Sequence, residues 1–262
     1  MNKKMLIKSL TGLAIIAVVL PPLILGGIWR DILVGICLAI ASYEIASVSD
    51  QKPHYLLTVM CFAASYALKM VTPDVFAGVV GLWLVILFAM ELFFENMTSD
   101  QVVYTFSLTV LFSLAMRGMD RIYAQPQAFL ILLYVAFTCF ICDTMAYFTG
   151  VFFGKHKMIP RVSPNKTWEG AIGGYLFAAV ISCIYGLIVL KNLPQGLIIS
   201  GSLILPAVAQ IGDLSFSSVK RHFDIKDFGN LLPGHGGVLD RIDSLLFCLV
   251  IFNYLMALWR IV

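Results

Sequence analysis

The sequence predicts an all-α polytopic integral membrane protein with about nine transmembrane helices and a polar site at the cytoplasmic face. Three observations carry this. Hydrophobic residues make up 60% of the 262 and charged residues only 13%, with a mean hydropathy of +0.91. Long apolar runs recur from end to end, which no soluble domain of this length carries. The scarce charge is gathered: "VKRHFDIKDFGNLLPGHGGVLDRIDS", Val219 to Ser244, holds eight charged residues in 26.

A bilayer core takes about 20 apolar residues per helical span, because every backbone polar group must be satisfied within the helix. By that measure the spans are Leu10–Ile28, Ile32–Ser47, Tyr55–Val71, Phe76–Phe94, Tyr104–Met116, Ala128–Phe148, Ala171–Leu190, Leu197–Gln210 and Ser244–Val262. The second, fifth and eighth are short. The opening "MNKKMLIKSL" leads into a run that is long, meets Pro21–Pro22 and shows no small-residue cleavage site, so it is read as a retained first span and not a signal peptide.

Lysine and arginine enrich short cytoplasmic loops. With the amino terminus inside, the inner face receives Lys3, Lys4, Lys8, Lys52, Lys155, Lys157, Arg161, Lys166, Lys220, Arg221, Lys226 and Arg241; the outer face receives Arg30, Arg117, Arg121, Lys191 and Arg260, with Lys69 near the outer end of its span. The asymmetry sets this topology, and an odd number of spans puts the carboxyl terminus outside. The expected location is a bacterial inner membrane. Asn96-Met97-Thr98 matches a glycosylation sequon but falls on the inner side and is set aside.

The net charge of +3 gives no reason to expect nucleic acid. "CFIC", Cys139 to Cys142, has the spacing of a metal or redox pair, but no second pair accompanies it, and helix packing is the expected role. No repeat or linker divides the chain. It divides by charge instead: 1–135 is a set of amino-terminal spans with short loops, and 136–262 is a carboxyl-terminal catalytic region, the two forming one continuous membrane domain.

Ionisable groups at membrane depth are costly and normally kept for a purpose. Glu44, beside Tyr43 and outside any motif, is expected to tie helices by pairing with a cation or backbone donor. Asp213 is different, because Asp224, Asp227, Asp240 and Asp243 follow it closely. Asp240 and Asp243 are three apart at the start of the last helix and project to one face of its first turn. There they either cap the positive dipole end or jointly hold a cation, and capping alone explains only one of them. Mg²⁺ completes its shell with water and substrate phosphates, so a phosphate site should lie nearby. Gly234, Gly236 and Gly237 in "LPGHGG" let successive N–H groups face an anion, with Lys220, Arg221, Lys226 and Arg241 around them. "SPNKTWEG" repeats the idea, with Ser163, Lys166 and Thr167 preceding a helix amino end.

Both clusters resemble those of the phosphatidate cytidylyltransferase (CDP-diacylglycerol synthase) family. The signature reads Ser217, Val219-Lys220-Arg221, Lys226-Asp227, Gly229, Pro233, His235-Gly236-Gly237 and Asp240-Arg241-Ile242-Asp243 with every spacing kept. The stretch with Asp143, Ala146-Tyr147, Gly150, Phe153-Gly154, Ser163-Pro164, Lys166-Thr167 and Glu169-Gly170 is also similar to the family pattern. The resemblance covers the last 120 residues closely; the first 135 agree only in being membrane spans.

The resemblance implies transfer of the cytidylyl group of CTP to phosphatidate, giving CDP-diacylglycerol and pyrophosphate with Mg²⁺ as cofactor. Two cations are expected, and a monovalent one is left open. It implies metal binding first by Asp213 and Asp240, with Asp243, Asp227 and Asp143 contributing, and phosphate binding by Lys220, Arg221, Lys226 and Lys166. His235 is read as a phosphate contact or a brace for its turn ahead of a base. CTP, phosphatidate and the lipid bilayer are the expected partners, and a homodimer is left open. A CTP-dependent polyprenol or phytol kinase is the nearest alternative, and a membrane transporter the more distant one.

Overall fold

The structure, a computed structural model, describes residues 3–49, 51–94 and 97–261. Asn96 of the sequon and the side chains of Lys3, Lys4 and Lys8 lie outside what it describes. The described chain runs α1 (Lys3–Leu25), α2 (Gly27–Ala46), α3 (Tyr55–Met70), α4 (Pro73–Phe93), α5 (Ser99–Tyr123), α6 (Ala128–Phe153), β1 (Lys157–Ile159), β2 (Ser163–Thr167), α7 (Trp168–Val189), α8 (Gln195–His222) and α9 (Leu239–Leu258). The helical class is as expected, with one addition. The basic stretch after α6 folds into a small antiparallel hairpin pairing Lys157 with Thr167 and Ile159 with Ser163.

Among the described residues six helices, α4 to α9, are long and apolar enough to cross a membrane. The apolar parts of α1 and α3 are shorter, and α2 carries Arg30, Asp31 and Glu44 within its 20 residues. Many large side chains point outward, as suits helices solvated by lipid tails: in α4 only Trp83 and Leu87 are buried.

Several helices outrun their expected ends. α5 continues past Arg117 to Tyr123, α8 past Asp213 to His222, and α9 begins at Leu239, ahead of Ser244. A hydropathy boundary falls where charge begins, but the backbone ladder is indifferent to side-chain polarity, and lysine and arginine are good helix formers. Lys220, Arg221 and His222 also occupy the last turn of α8, where the dipole favours cations.

The chain forms two compact units: Met1–Met116 with Asp227–Arg241, and Arg117–Lys226 with Ile242–Val262. The signature turn thus folds with the amino-terminal helices. In the second unit α6 and α7 approach through small residues. A Cβ on Gly174 would meet the Cys142 carbonyl at 2.6 Å and Ala146 Cβ at 2.7 Å, and one on Gly170 the Ala146 carbonyl at 2.7 Å. Close approach of this kind holds membrane helices together where no hydrophobic force separates protein from lipid. Tyr134 of α6 crosses to α8, its hydroxyl 2.9 Å from both the Ile198 carbonyl and Ser202 Oγ, and its ring packs on Phe252 of α9. Cys142 donates to the Pro206 carbonyl and accepts from Gln210 Nε2. Cys139 and Cys142 are buried free thiols, in keeping with a packing role.

Candidate active site

In the second unit the hairpin and three helices bring charge together. Thr167 ends β2 and caps α7, its Oγ1 accepting from the Gly170 N–H at 3.1 Å. One residue earlier, Lys166 is ion-paired through Nζ with Asp213 Oδ2 of α8, both side chains about a third exposed. Asp143 of α6 is exposed and within electrostatic reach of Asp213, Lys166 and Asp243. Asp243 Oδ1 accepts from the Ser244 N–H at 2.7 Å. Carboxylates outnumber ammonium groups here, which suits a hard cation. Ser163 opens β2, partly buried. Arg221 spans the end of α8, donating to the Val162 carbonyl at 3.4 Å and the Ile225 carbonyl at 3.1 Å. Lys220 is half-buried in that turn and Lys226 exposed beyond it.

In the first unit the signature forms a tight turn. The Leu232 N–H donates to the Gly236 carbonyl at 2.9 Å, and the His235 N–H to the Leu232 carbonyl at 2.8 Å. Gly234 and Gly236 have φ of 76° and 80°, a conformation open to glycine and costly for other residues. A Cβ on Gly236 would lie 2.9 Å from Asp240 Oδ2 and 3.2 Å from Asp227 Oδ1, so both carboxylates flank this glycine. Asp240 is buried, and its Oδ2 accepts from the Phe228 N–H at 2.8 Å and the Gly237 N–H at 3.0 Å. The Phe228 ring stacks on Tyr104 of α5. His235 Nδ1 is buried and, among the described residues, has no hydrogen-bond partner. Arg241 is exposed in the first turn of α9.

The expected residues therefore fall into two sets. Asp143, Ser163, Lys166, Thr167, Asp213, Lys220, Arg221, Lys226 and Asp243 belong to the second unit, and Asp227, Gly234, His235, Gly236, Gly237, Asp240 and Arg241 to the first. Among the described residues no three His, Cys, Asp or Glu side chains group closely enough to form a metal cage of protein atoms alone. Mg²⁺ is commonly held by one or two carboxylates plus substrate phosphates, a donor set these pairs suit.

Glu44 was legible only as a costly charge. Both its oxygens accept backbone N–H groups at the start of α9, Val238 to Oε1 and Leu239 to Oε2, each at 2.8 Å. The expected tie is made, with backbone donors as partners. No spacing in the sequence signals it, because the donors lie about 195 residues away.

Long apolar helices bearing carboxylates, with a lysine ion-paired to one of them, mark an integral membrane protein that carries a polar site. Residues 6–259 match the model of the cytidylyltransferase family, and the chain belongs to that family. It is 44% identical over 131 residues to the phosphatidate cytidylyltransferase of Bacillus subtilis, a match spanning 49% of each chain. Identity to the phosphatidate cytidylyltransferase of Staphylococcus haemolyticus is 32% over 260 residues, covering 96% of this chain and 99% of the relative. For that of Staphylococcus saprophyticus it is 31% over 258 residues, with the same coverage. Kinship thus extends through the amino-terminal spans, which the motifs alone did not identify.

Proposed function

We propose that the protein transfers the cytidylyl group of CTP to phosphatidate, giving CDP-diacylglycerol and pyrophosphate in phospholipid synthesis. Beyond family membership, the observation that carries this is the pairing of Lys166 with Asp213, with Asp143 and Asp243 in electrostatic reach. In this reading Asp213 offers a carboxylate to a cation whose shell substrate phosphates would complete, with an ammonium beside it for phosphate. Asp213 and Asp240 are the principal Mg²⁺ ligands in this reading, with Asp243, Asp227 and Asp143 assisting one or both of two cations. When bound, Mg²⁺ supplies the positive charge that lets two anionic phosphates approach.

The chain's own residues bind and orient. Lys166, Lys220, Arg221 and Lys226 hold phosphate oxygens, with Ser163, Thr167, Arg241 and the backbone of Gly234, Gly236 and Gly237 as further phosphate contacts. A hydrogen bond from His235 to a substrate oxygen would satisfy its buried Nδ1. Phosphatidate is a phosphate monoester with a second pKa of about 6, so at pH 7 it is mostly dianionic and has no proton to lose before attack. Its oxygen forms a bond to the α-phosphorus of CTP while the bond from that phosphorus to the β-bridging oxygen breaks, and the electron pair leaves with pyrophosphate. Lysine and arginine serve this step by holding attacking and departing oxygens in line.

About nine spans cross a bacterial plasma membrane in this reading, α1, α2 and α3 joining the six longer helices. The amino terminus and the loops around Asn165 and Asn230 face the cytosol, where CTP is found, and the carboxyl terminus faces out. The test is pyrophosphate release by the purified protein. Release should require CTP, phosphatidate and Mg²⁺ together; release of equal rate without phosphatidate would refute the reading.

A further inference from the structure

Glu44 lies far from the signature in sequence, on α2, yet the residue is only 2% exposed, and its carboxylate engages consecutive N–H groups of Val238 and Leu239 through both oxygens. We propose that Glu44 is a positioning residue for the reaction: it fixes the start of α9 and, through it, Asp240. The inference deepens the function proposed above and rests on Asp240 belonging to that site.

The first N–H groups of a helix have no partner within it and are ordinarily met by a nearby side chain. Here a carboxylate from another helix takes that place, in charge-assisted bonds at the positive dipole end. The adjoining N–H of Gly237 is held by Asp240 Oδ2, which also takes the Phe228 N–H. The two carboxylates therefore share three successive N–H groups, Gly237, Val238 and Leu239. If Glu44 lets go, the segment that aims Asp240 loses its anchor.

The glycines give independent support. A Cβ on Gly229 would lie 2.6 Å from Glu44 Oε1, and one on Gly237 would lie 2.6 Å from Glu44 Cδ. Neither residue has a positive φ, so backbone conformation does not demand glycine at these positions. The space does only while the Glu44 carboxyl keeps its place, since a Cβ at either position would have to displace it.

The experiment uses the full-length protein in detergent. In Glu44→Gln the amide nitrogen turns a donor toward one of the two N–H groups. Hydrogen exchange in the peptide covering 227–241 should quicken at least about tenfold. The turnover number should fall at least about tenfold, with Michaelis constants for CTP and phosphatidate within about threefold of wild type. Gly229→Ala, whose Cβ would meet Glu44 Oε1 at 2.6 Å, disturbs the same contact from the other side and carries the test if Glu44→Gln does not fold. Gly78→Ala, where a Cβ meets nothing within 4 Å, is the control and should match wild type.

Faster exchange with unchanged turnover would reduce Glu44 to a structural tie and overturn the proposal. Lost turnover with unchanged exchange would overturn it as well, since Glu44 would then act on substrate directly. A wild-type protein that forms no liponucleotide would sink the functional reading instead, while exchange would still decide whether Glu44 holds the turn.

Discussion

Replacing Asp240 with Asn keeps its size and an acceptor oxygen but removes the charge, and the structure bounds what that change costs if the residue only ties its loop. Asp240 Oδ2 accepts two backbone N–H groups, at 2.8 and 3.0 Å. Hydrogen bonds to a charged acceptor contribute about 1.5–3 kcal/mol and neutral ones about 0.5–1.5 kcal/mol. Weakening both therefore costs about 2–3 kcal/mol. At about 1.4 kcal/mol per factor of ten, a loss confined to loop geometry lowers the rate by about 30- to 150-fold at most. Loss of a metal ligand exceeds that bound, because the cation offsets charge on both reacting phosphates. The assay follows label from CTP into lipid at saturating Mg²⁺, with thermal unfolding measured in parallel. The expected result is a fall in turnover of more than about a thousandfold in a protein that remains folded and melts slightly earlier. A loss within the loop bound at saturating Mg²⁺ would refute the metal assignment and leave Asp240 as a structural tie.

Other consequences can be checked separately. Asp213→Asn, which removes the charge paired with Lys166, should likewise lower turnover by several orders of magnitude without removing the protein from the membrane; near-normal turnover would exclude Asp213 from the cation site. His235→Gln should cost less than about a thousandfold in turnover, share the loss with the Michaelis constants and keep the acidic limb of the rate profile. A larger fall in turnover alone, with that limb abolished, would make His235 a base. A cysteine at the exposed positions 165 or 230, in a background lacking Cys37 and Cys183, the two native thiols that are not buried, should react with an impermeant reagent only after the inner face is opened. Labelling of both in intact cells would reverse the topology. Thr167→Val removes the α7 cap and should lower stability by about 1 kcal/mol; unchanged thermal unfolding would show that the cap contributes nothing.

The sequence made some features readable and hid others for physical reasons. Hydropathy located the helices because lipid forces apolar residues into continuous runs, but it cut α5 short at Arg117 and α8 near Asp213, where side-chain polarity changes and the hydrogen-bond ladder does not. The hairpin at Lys157–Thr167 escaped notice because its strands are only three and five residues long, too short to show an alternating pattern. The placement of Asp240 and Asp243 at the start of α9 was legible from their spacing, since three residues is a local distance on a helix. The pairing of Lys166 with Asp213 was not, being a contact 47 residues apart. Glu44 stood out as a buried charge, but its partners are backbone groups, which carry no signal in residue identity. For the same reason the amino-terminal spans read as anonymous, although they fold with the signature turn.

The central claim is which part of CTP reaches the lipid, and CTP labelled separately at its α- and γ-phosphates measures that directly. With phosphatidate and Mg²⁺ present, the α label should enter the lipid phase together with cytidine, and the γ label should appear only in pyrophosphate. Transfer of the γ label to lipid would identify a lipid kinase, and absence of both labels from lipid would contradict the account altogether.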